Sequence, residues 1–257
     1  MKKRIISGFF IVLILTLSII HGGAIFSLLV SFCAICAFRE FIDVRNKRID
    51  SVSLVSYIAL LSITLNNTFY NIDYFSLISF AILGLGIPMV IINDKDKYNI
   101  NDLVYYLFCI LIVATAFNSL IVIRESNIYL CIYIFLISFL TDTYAYIGGM
   151  LIGKNKLTSI SPKKTIEGSL IGTIMASIIS TVYYNMLIDD MNIFVIMIIS
   201  LLLSIVSQFG DLFFSFIKRY FNKKDYSNLI PGHGGILDRF DSVIFVTLLL
   251  RLIENIL

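Results

Sequence analysis

The sequence predicts an all-α, polytopic integral membrane protein with about nine transmembrane helices and a cytoplasmic N-terminus. Three observations predict it. The 257 residues are 58% hydrophobic and 14% charged, with mean hydropathy +0.92, whereas a soluble domain carries about a quarter charged residues. The apolar residues fall in runs of about the length, roughly 20 residues, that a spanning helix needs. The lysines and arginines gather in alternate intervals between those runs.

Backbone groups in lipid must satisfy one another, so the runs read as helices. They lie at 5–20, 24–42, 53–66, 74–93, 102–123, 128–149, 169–188, 193–216 and 240–256. The first follows Lys2, Lys3 and Arg4 in the manner of a signal peptide, but no small-residue cleavage site follows, so it reads as a retained span. The second contains Cys33 and Cys36 as a CxxC. With no His or second Cys pair nearby, these read as small apolar fillers. The third run is the shortest, and Pro88 marks a kink position in the fourth. Residues 1–127 hold about five spans. Residues 128–257 form a second transmembrane region with two long polar loops, 150–168 and 218–239. No soluble domain, Gly/Ser linker or internal repeat stands out.

Orientation follows from basic residues, which favour the cytoplasmic side. Nine spans threaded with the N-terminus inside place 18 of the 20 Lys and Arg in the cytoplasm, leaving only Arg124 and Arg251 towards the other face. The cytoplasmic set includes Arg39, Arg45, Lys47, Arg48, Lys95 and Lys97. The opposite threading breaks the rule at every basic loop. The outer connections at 21–23, 66–73, 124–127 and 189–192 are short and mostly polar. Net charge is only +3, so bulk attraction to nucleic acid is not indicated.

Residues 207–241 break the apolar pattern. They carry four Asp, three Lys, two Arg and one of the two His. A charge at the centre of a spanning helix costs about 2.5–3.5 kcal/mol on insertion scales, so charges in and beside spans mark function. Asp211, Ser215 and Lys218 are spaced i, i+4, i+7 and share one helix face, which Ser207 extends. Asp211 reads either as a metal ligand or as half of a structural pair with Lys218 or Arg239. Residues 231–235, PGHGG, form a glycine-rich turn before the last span; such turns let backbone N–H groups approach phosphate. Asp238, Arg239 and Asp241 follow at once. One acid there is explained by capping or by the helix dipole; two acids and an arginine are explained less easily. His233 reads equally as a general base or as a hydrogen-bonding strut. Asp142 sits within an apolar run and is a functional candidate on that ground. The loop after it holds Ser159, Ser161, Lys163, Lys164 and Thr165, then Glu167 and Gly168, a set suited to cradling phosphate.

These stretches resemble a known family. From Ser215 to Asp241 the pattern SxxKR, then KD, then a hydrophobic-Pro-x-HGG turn, then DRxD resembles the signature of phosphatidate cytidylyltransferases, also called CDP-diacylglycerol synthases, with every position filled. Residues 142–168 resemble the same family's second conserved loop. Two departures stand out: Tyr144 where the family has glycine, and Met150 where it has Arg or Lys. Upstream of about residue 128 the resemblance is only hydropathy and length.

The resemblance implies a membrane nucleotidyltransferase that converts CTP and phosphatidic acid to CDP-diacylglycerol and pyrophosphate. Its active loops would face the cytoplasm at the cell membrane. It implies that Asp211 and Asp238 hold Mg²⁺, with room for a second cation, and that Asp142 and Asp241 are further or outer ligands. Lys218, Arg219 and Arg239, with His233, would be the catalytic groups. Ser161, Lys163, Lys164, Ser215, Gly234 and Gly235 would bind substrate. The expected partners are CTP and phosphatidic acid in the membrane, with no nucleic acid; a homodimer is left open. Two rivals share some of these features. A CTP-dependent lipid-alcohol kinase would transfer the γ-phosphoryl group instead. An ion-coupled transporter would place its acids on a cation path, commonly with repeats and broken helices at mid-bilayer.

Overall fold

A computed structural model describes residues 2–45, 50–92, 99–189, 191–230, 232 and 234–256, with side chains from residue 7 onward. Lys47, Arg48, Lys95, Lys97, Pro231 and His233, and the side chains of Lys2, Lys3 and Arg4, lie outside the described set. Among the described residues there are nine α-helices, one short π-helical turn and no strand. The helices are α1 Lys2–His21, α2 Gly23–Val44, α3 Ser51–Thr64, α4 Tyr74–Ile92, α5 Ile100–Ser126, α6 Ile128–Ile152, α7 Ile166–Leu187, α8 Ile193–Tyr220 and α9 Leu237–Ile256. The chain is an all-α, polytopic membrane protein. Six helices, α2 and α4 to α8, are long and apolar enough to cross a bilayer. The 14 residues of α3 span about 21 Å at 1.5 Å per residue, short of a hydrocarbon core of about 30 Å. Helix α9 carries Asp238, Arg239, Asp241, Arg251 and Glu254. Nine crossings therefore require α1, α3 and α9 to be counted as well.

The chain divides into two compact units. The first comprises Met1–Val122 together with Tyr226–Ile236. Its helices pack in sequence, α1 on α2, α2 on α3 and α3 on α4. The α2 core is Phe26, Ala34, Ala37, Phe38 and Phe41, all fully buried. Asp50 starts α3 with a reciprocal cap: its carboxylate accepts from the Ser53 amide at 3.1 Å, and its own amide donates to Ser53 Oγ at 2.7 Å. Part of the expected outer loop 66–73 is instead a π-helical turn, Asn66–Tyr70. The Asn66 side chain closes that turn by bonding both the carbonyl and the amide of Ile72. At the end of α2, Arg45 pairs with the fully buried Asp102 of α5 at 2.8 Å and lies over the Tyr105 ring. The arginine therefore satisfies an internal carboxylate.

The second unit comprises Ile123–Asp225 and Leu237–Leu257. Helices α6 and α7 pack against each other most extensively, and α8 packs on α7 and α9. Small residues allow the close approach. A Cβ on Gly172 would stand 2.7 Å from the Thr141 carbonyl, and one on Gly168 2.5 Å from the Ala145 carbonyl. Polar rungs tie α8 to both of these helices: Tyr133 Oη of α6 with Ser200 Oγ at 2.7 Å, Thr141 Oγ1 of α6 with Ser204 Oγ at 2.7 Å, and Gln208 Nε2 donating to Thr173 Oγ1 of α7 at 2.8 Å. In lipid, helix association relies on such small-residue contacts and interhelical hydrogen bonds.

Candidate active site

The polar residues of the second unit converge from three helices and one loop. Asp142 comes from the middle of α6 and is accessible. Asp211, Ser215 and Lys218 come from the last turns of α8, and Asp238, Arg239 and Asp241 from the first turns of α9. The loop between α6 and α7 supplies Lys164.

That loop is a braced platform. Thr165 caps α7, its Oγ1 accepting from the Gly168 amide at 3.2 Å. The Glu167 carboxylate reaches back to the amides of Lys154 and Asn155 at 3.0 and 3.2 Å, and to Asn155 Nδ2 at 2.7 Å. The Leu157 amide donates to the Lys164 carbonyl, and the Lys164 amide to the Ser161 carbonyl. Glu167 therefore straps the loop, and Gly168 serves helix packing. The result aims Lys164 Nζ at Asp211 Oδ2, with which it forms an ion pair. Ser161 lies beside it in the chain at the turn, and Lys163 is exposed.

Two lysine–carboxylate pairs organise the acids. The Lys164–Asp211 side chains are both 25% exposed. Lys218 Nζ donates to Asp238 Oδ1 at 2.7 Å, with side chains only 10% and 4% exposed. The structural alternative for Asp211, a pair with Lys218 or Arg239, is replaced by a pair with Lys164. Helical spacing alone could not reveal that partner, because it sits 47 residues away on a loop. Ser215 Oγ donates to Asp211 Oδ1 at 3.2 Å, one turn along α8, and so steadies the carboxylate. Asp142 and Asp241 both feel the negative charge of Asp211 and of each other; Lys164 and Arg239 offset Asp142, and Lys218 offsets Asp241. Arg219 is exposed and donates to the Lys223 carbonyl at the end of α8. Met150 is exposed on α6.

The helices that carry the acids are held tightly. A Cβ on Gly210 would stand 2.7 Å from the Asp241 carbonyl and 3.0 Å from Phe245 Cβ. Gly210→Ala is expected to push α9 off α8 and lower catalytic activity by about 10²-fold. Circular dichroism of the variant should still show native helix content.

Among the described residues no three His, Cys, Asp or Glu groups form a ready-made ligand cage. Mg²⁺ at nucleotide sites takes one or two carboxylates and completes its shell with water and substrate phosphate. Asp142, Asp211 and Asp241 offer hard oxygen donors whose mutual repulsion a cation would relieve. Ser207 Oγ, one turn before Asp211, and Ser242 Oγ, next to Asp241, are buried with no hydrogen-bond partner. These oxygen donors are of the kind that would suit a divalent cation.

The glycine-rich stretch belongs to the first unit. The Ile230 amide bonds the Gly234 carbonyl at 2.9 Å. Gly232 and Gly234 adopt φ of 80° and 82°, which favours glycine at both positions. Gly235 faces the carboxylate of Glu40 on α2. Glu40, Ser227 and Leu229 also line a cavity of about 620 Å³ whose apolar wall is Ile35, Leu54 and Leu61. Sequence reasoning passed over Glu40, although a carboxylate inside the second apolar run was the available signal.

The cytidylyltransferase family model matches residues 2–257. The chain is 34% identical over 259 residues to a phosphatidate cytidylyltransferase of Staphylococcus haemolyticus, with 98% of each chain covered. It is 35% identical over 260 residues to the protein of that name from Staphylococcus epidermidis, and 33% identical over 260 residues to that from Staphylococcus aureus, again with 98% of each covered. The match therefore extends through the first five helices, where the sequence resemblance had been only hydropathy and length. The chain belongs to the cytidylyltransferase family.

Proposed function

We propose that the chain transfers the cytidylyl group of CTP to phosphatidic acid, giving CDP-diacylglycerol and pyrophosphate for phospholipid synthesis. The observation that carries this reading is the set of acids Asp142, Asp211 and Asp241 interleaved with Lys164, Lys218 and Arg239, in a chain that the family model matches nearly end to end. An oxygen of the lipid phosphate, already ionised near neutral pH, bonds to the α-phosphorus of CTP. The bond from that phosphorus to the bridging oxygen breaks, and pyrophosphate leaves. No protein nucleophile is required. Both reactants are anions, so catalysis rests on positioning and on charge neutralisation.

Asp142, Asp211 and Asp241 would hold Mg²⁺, and when bound the ion would neutralise nucleotide phosphate charge. Lys164 is ion-paired with Asp211 across a half-open face, so an arriving phosphate can compete for its ammonium group. Ser161 and Lys163 extend the same loop towards phosphate. Lys218 is fixed by Asp238 and presents a localised positive charge beside Asp241. Arg239 is exposed and would meet the charge of the leaving pyrophosphate. All of these residues come from one chain, so a second copy is not needed to complete the set. The basic residues of the loops support a cytoplasmic face for the site: CTP would arrive from the cytosol and the lipid would present its headgroup at the inner leaflet.

The test is liponucleotide formation by purified protein in detergent with Mg²⁺ and labelled CTP. Label at the α-phosphorus should appear in the lipid product. Label at the γ-phosphorus in the lipid would instead indicate a lipid kinase, and label from neither position a transporter.

A further inference from the structure

Glu40 lies near the end of α2 and is 2% exposed. A buried carboxylate is costly unless it is hydrogen-bonded. Its Oε1 accepts from Ser227 Oγ at 2.7 Å and from the Ile236 amide at 2.8 Å. Those donors stand at the two ends of the stretch that carries the glycine-rich turn. One oxygen atom therefore ties both ends of that stretch to α2. The fit leaves no slack: a Cβ on Gly235 would lie 2.3–2.5 Å from the Glu40 carboxylate atoms. Glycine is needed at 235 because a protein carboxylate occupies that side.

We propose that Glu40 is a positioning residue for cytidylyl transfer, pinning Ser227 and Ile236, two residues before Asp238, so that the chain enters α9 on a single backbone path. The inference rests on the proposed function for its catalytic consequence, but the pinning itself is testable without it. A carboxamide preserves an oxygen acceptor at the same place, whereas alanine removes it. Geometry, rather than charge, is what Glu40 supplies.

The experiment compares Glu40→Gln and Glu40→Ala in full-length protein by two readouts: hydrogen–deuterium exchange at the Ile236 amide, and kcat and KM for CTP with labelled nucleotide. Glu40→Ala should exchange faster at Ile236 and lose about 100-fold in kcat. Glu40→Gln should keep protection and stay within about threefold of wild type. Ser227→Ala, which leaves the Ile236 bond in place, should show a smaller change of the same kind and serves if Glu40→Ala does not fold. Wild-type kcat in a folded Glu40→Ala, unchanged exchange at Ile236, or equal loss in the glutamine and alanine variants would overturn the proposal. An inactive wild type would instead defeat the proposed function, with the exchange comparison still deciding whether Glu40 pins the stretch.

Discussion

Asp211→Asn is expected to lower kcat for liponucleotide formation by about 10³-fold while the protein stays folded and inserted, because an electrostatic group aimed at reacting phosphates is worth about that much. The two effects separate because of where the residue sits. The Lys164–Asp211 pair is 25% exposed on both sides, so losing it as a fold-holding contact costs about 1 kcal/mol or less. A purely structural Asp211 would show the opposite pattern, with a small stability loss and normal turnover. Such a result, by labelled-CTP assay alongside thermal melting in detergent, would remove Asp211 from the site. The Mg²⁺ concentration for half-maximal rate should rise in any residual activity, since one oxygen donor becomes a neutral amide.

Lys218→Met and Asp238→Asn should each destabilise the fold by about 3–5 kcal/mol, because each removes one half of a buried ion pair. The pair is far less exposed than Lys164–Asp211, at 10% and 4%. The double variant Lys218→Met/Asp238→Leu should recover most of that stability and none of the activity, since it removes the ammonium beside Asp241. Equilibrium unfolding in mixed micelles measures the first effect and nucleotide transfer the second. If the double variant is as unstable as the singles, charge burial is not what the pair resolves. Asp238 therefore differs from Asp211. Both were expected to hold a cation; in this structure Asp238 is paired with Lys218 and Asp211 with Lys164.

The helices were legible because lipid imposes a simple rule on the backbone. Each apolar run became a helix near the expected place, for example Tyr74–Ile92 for 74–93 and Ile128–Ile152 for 128–149. Helix α8 runs on to Tyr220, beyond the expected end at 216, because Lys218 and its neighbours stay helical past the apolar stretch. The acids and bases were legible from their cost in an apolar setting. Their partners were not, because the choice of Lys164 over Lys218 for Asp211 depends on how a braced loop folds back. Glu40 was hidden for a related reason. Its only local signal was one charge beside Arg39, and the donors that explain it come from residues 227 and 236.

Those sequence separations, 187 and 196 positions, carry a consequence for biosynthesis. At about 5–20 residues per second, the ribosome needs on the order of 10–40 s after Glu40 emerges to produce Ser227 and Ile236. For that interval the carboxylate lacks the two donors that hold the glycine-rich stretch to α2. Contacts between positions this distant form late, so docking of the glycine-rich stretch belongs to the last steps of maturation. A nascent chain released before its final helix would be embedded in the bilayer yet catalytically silent.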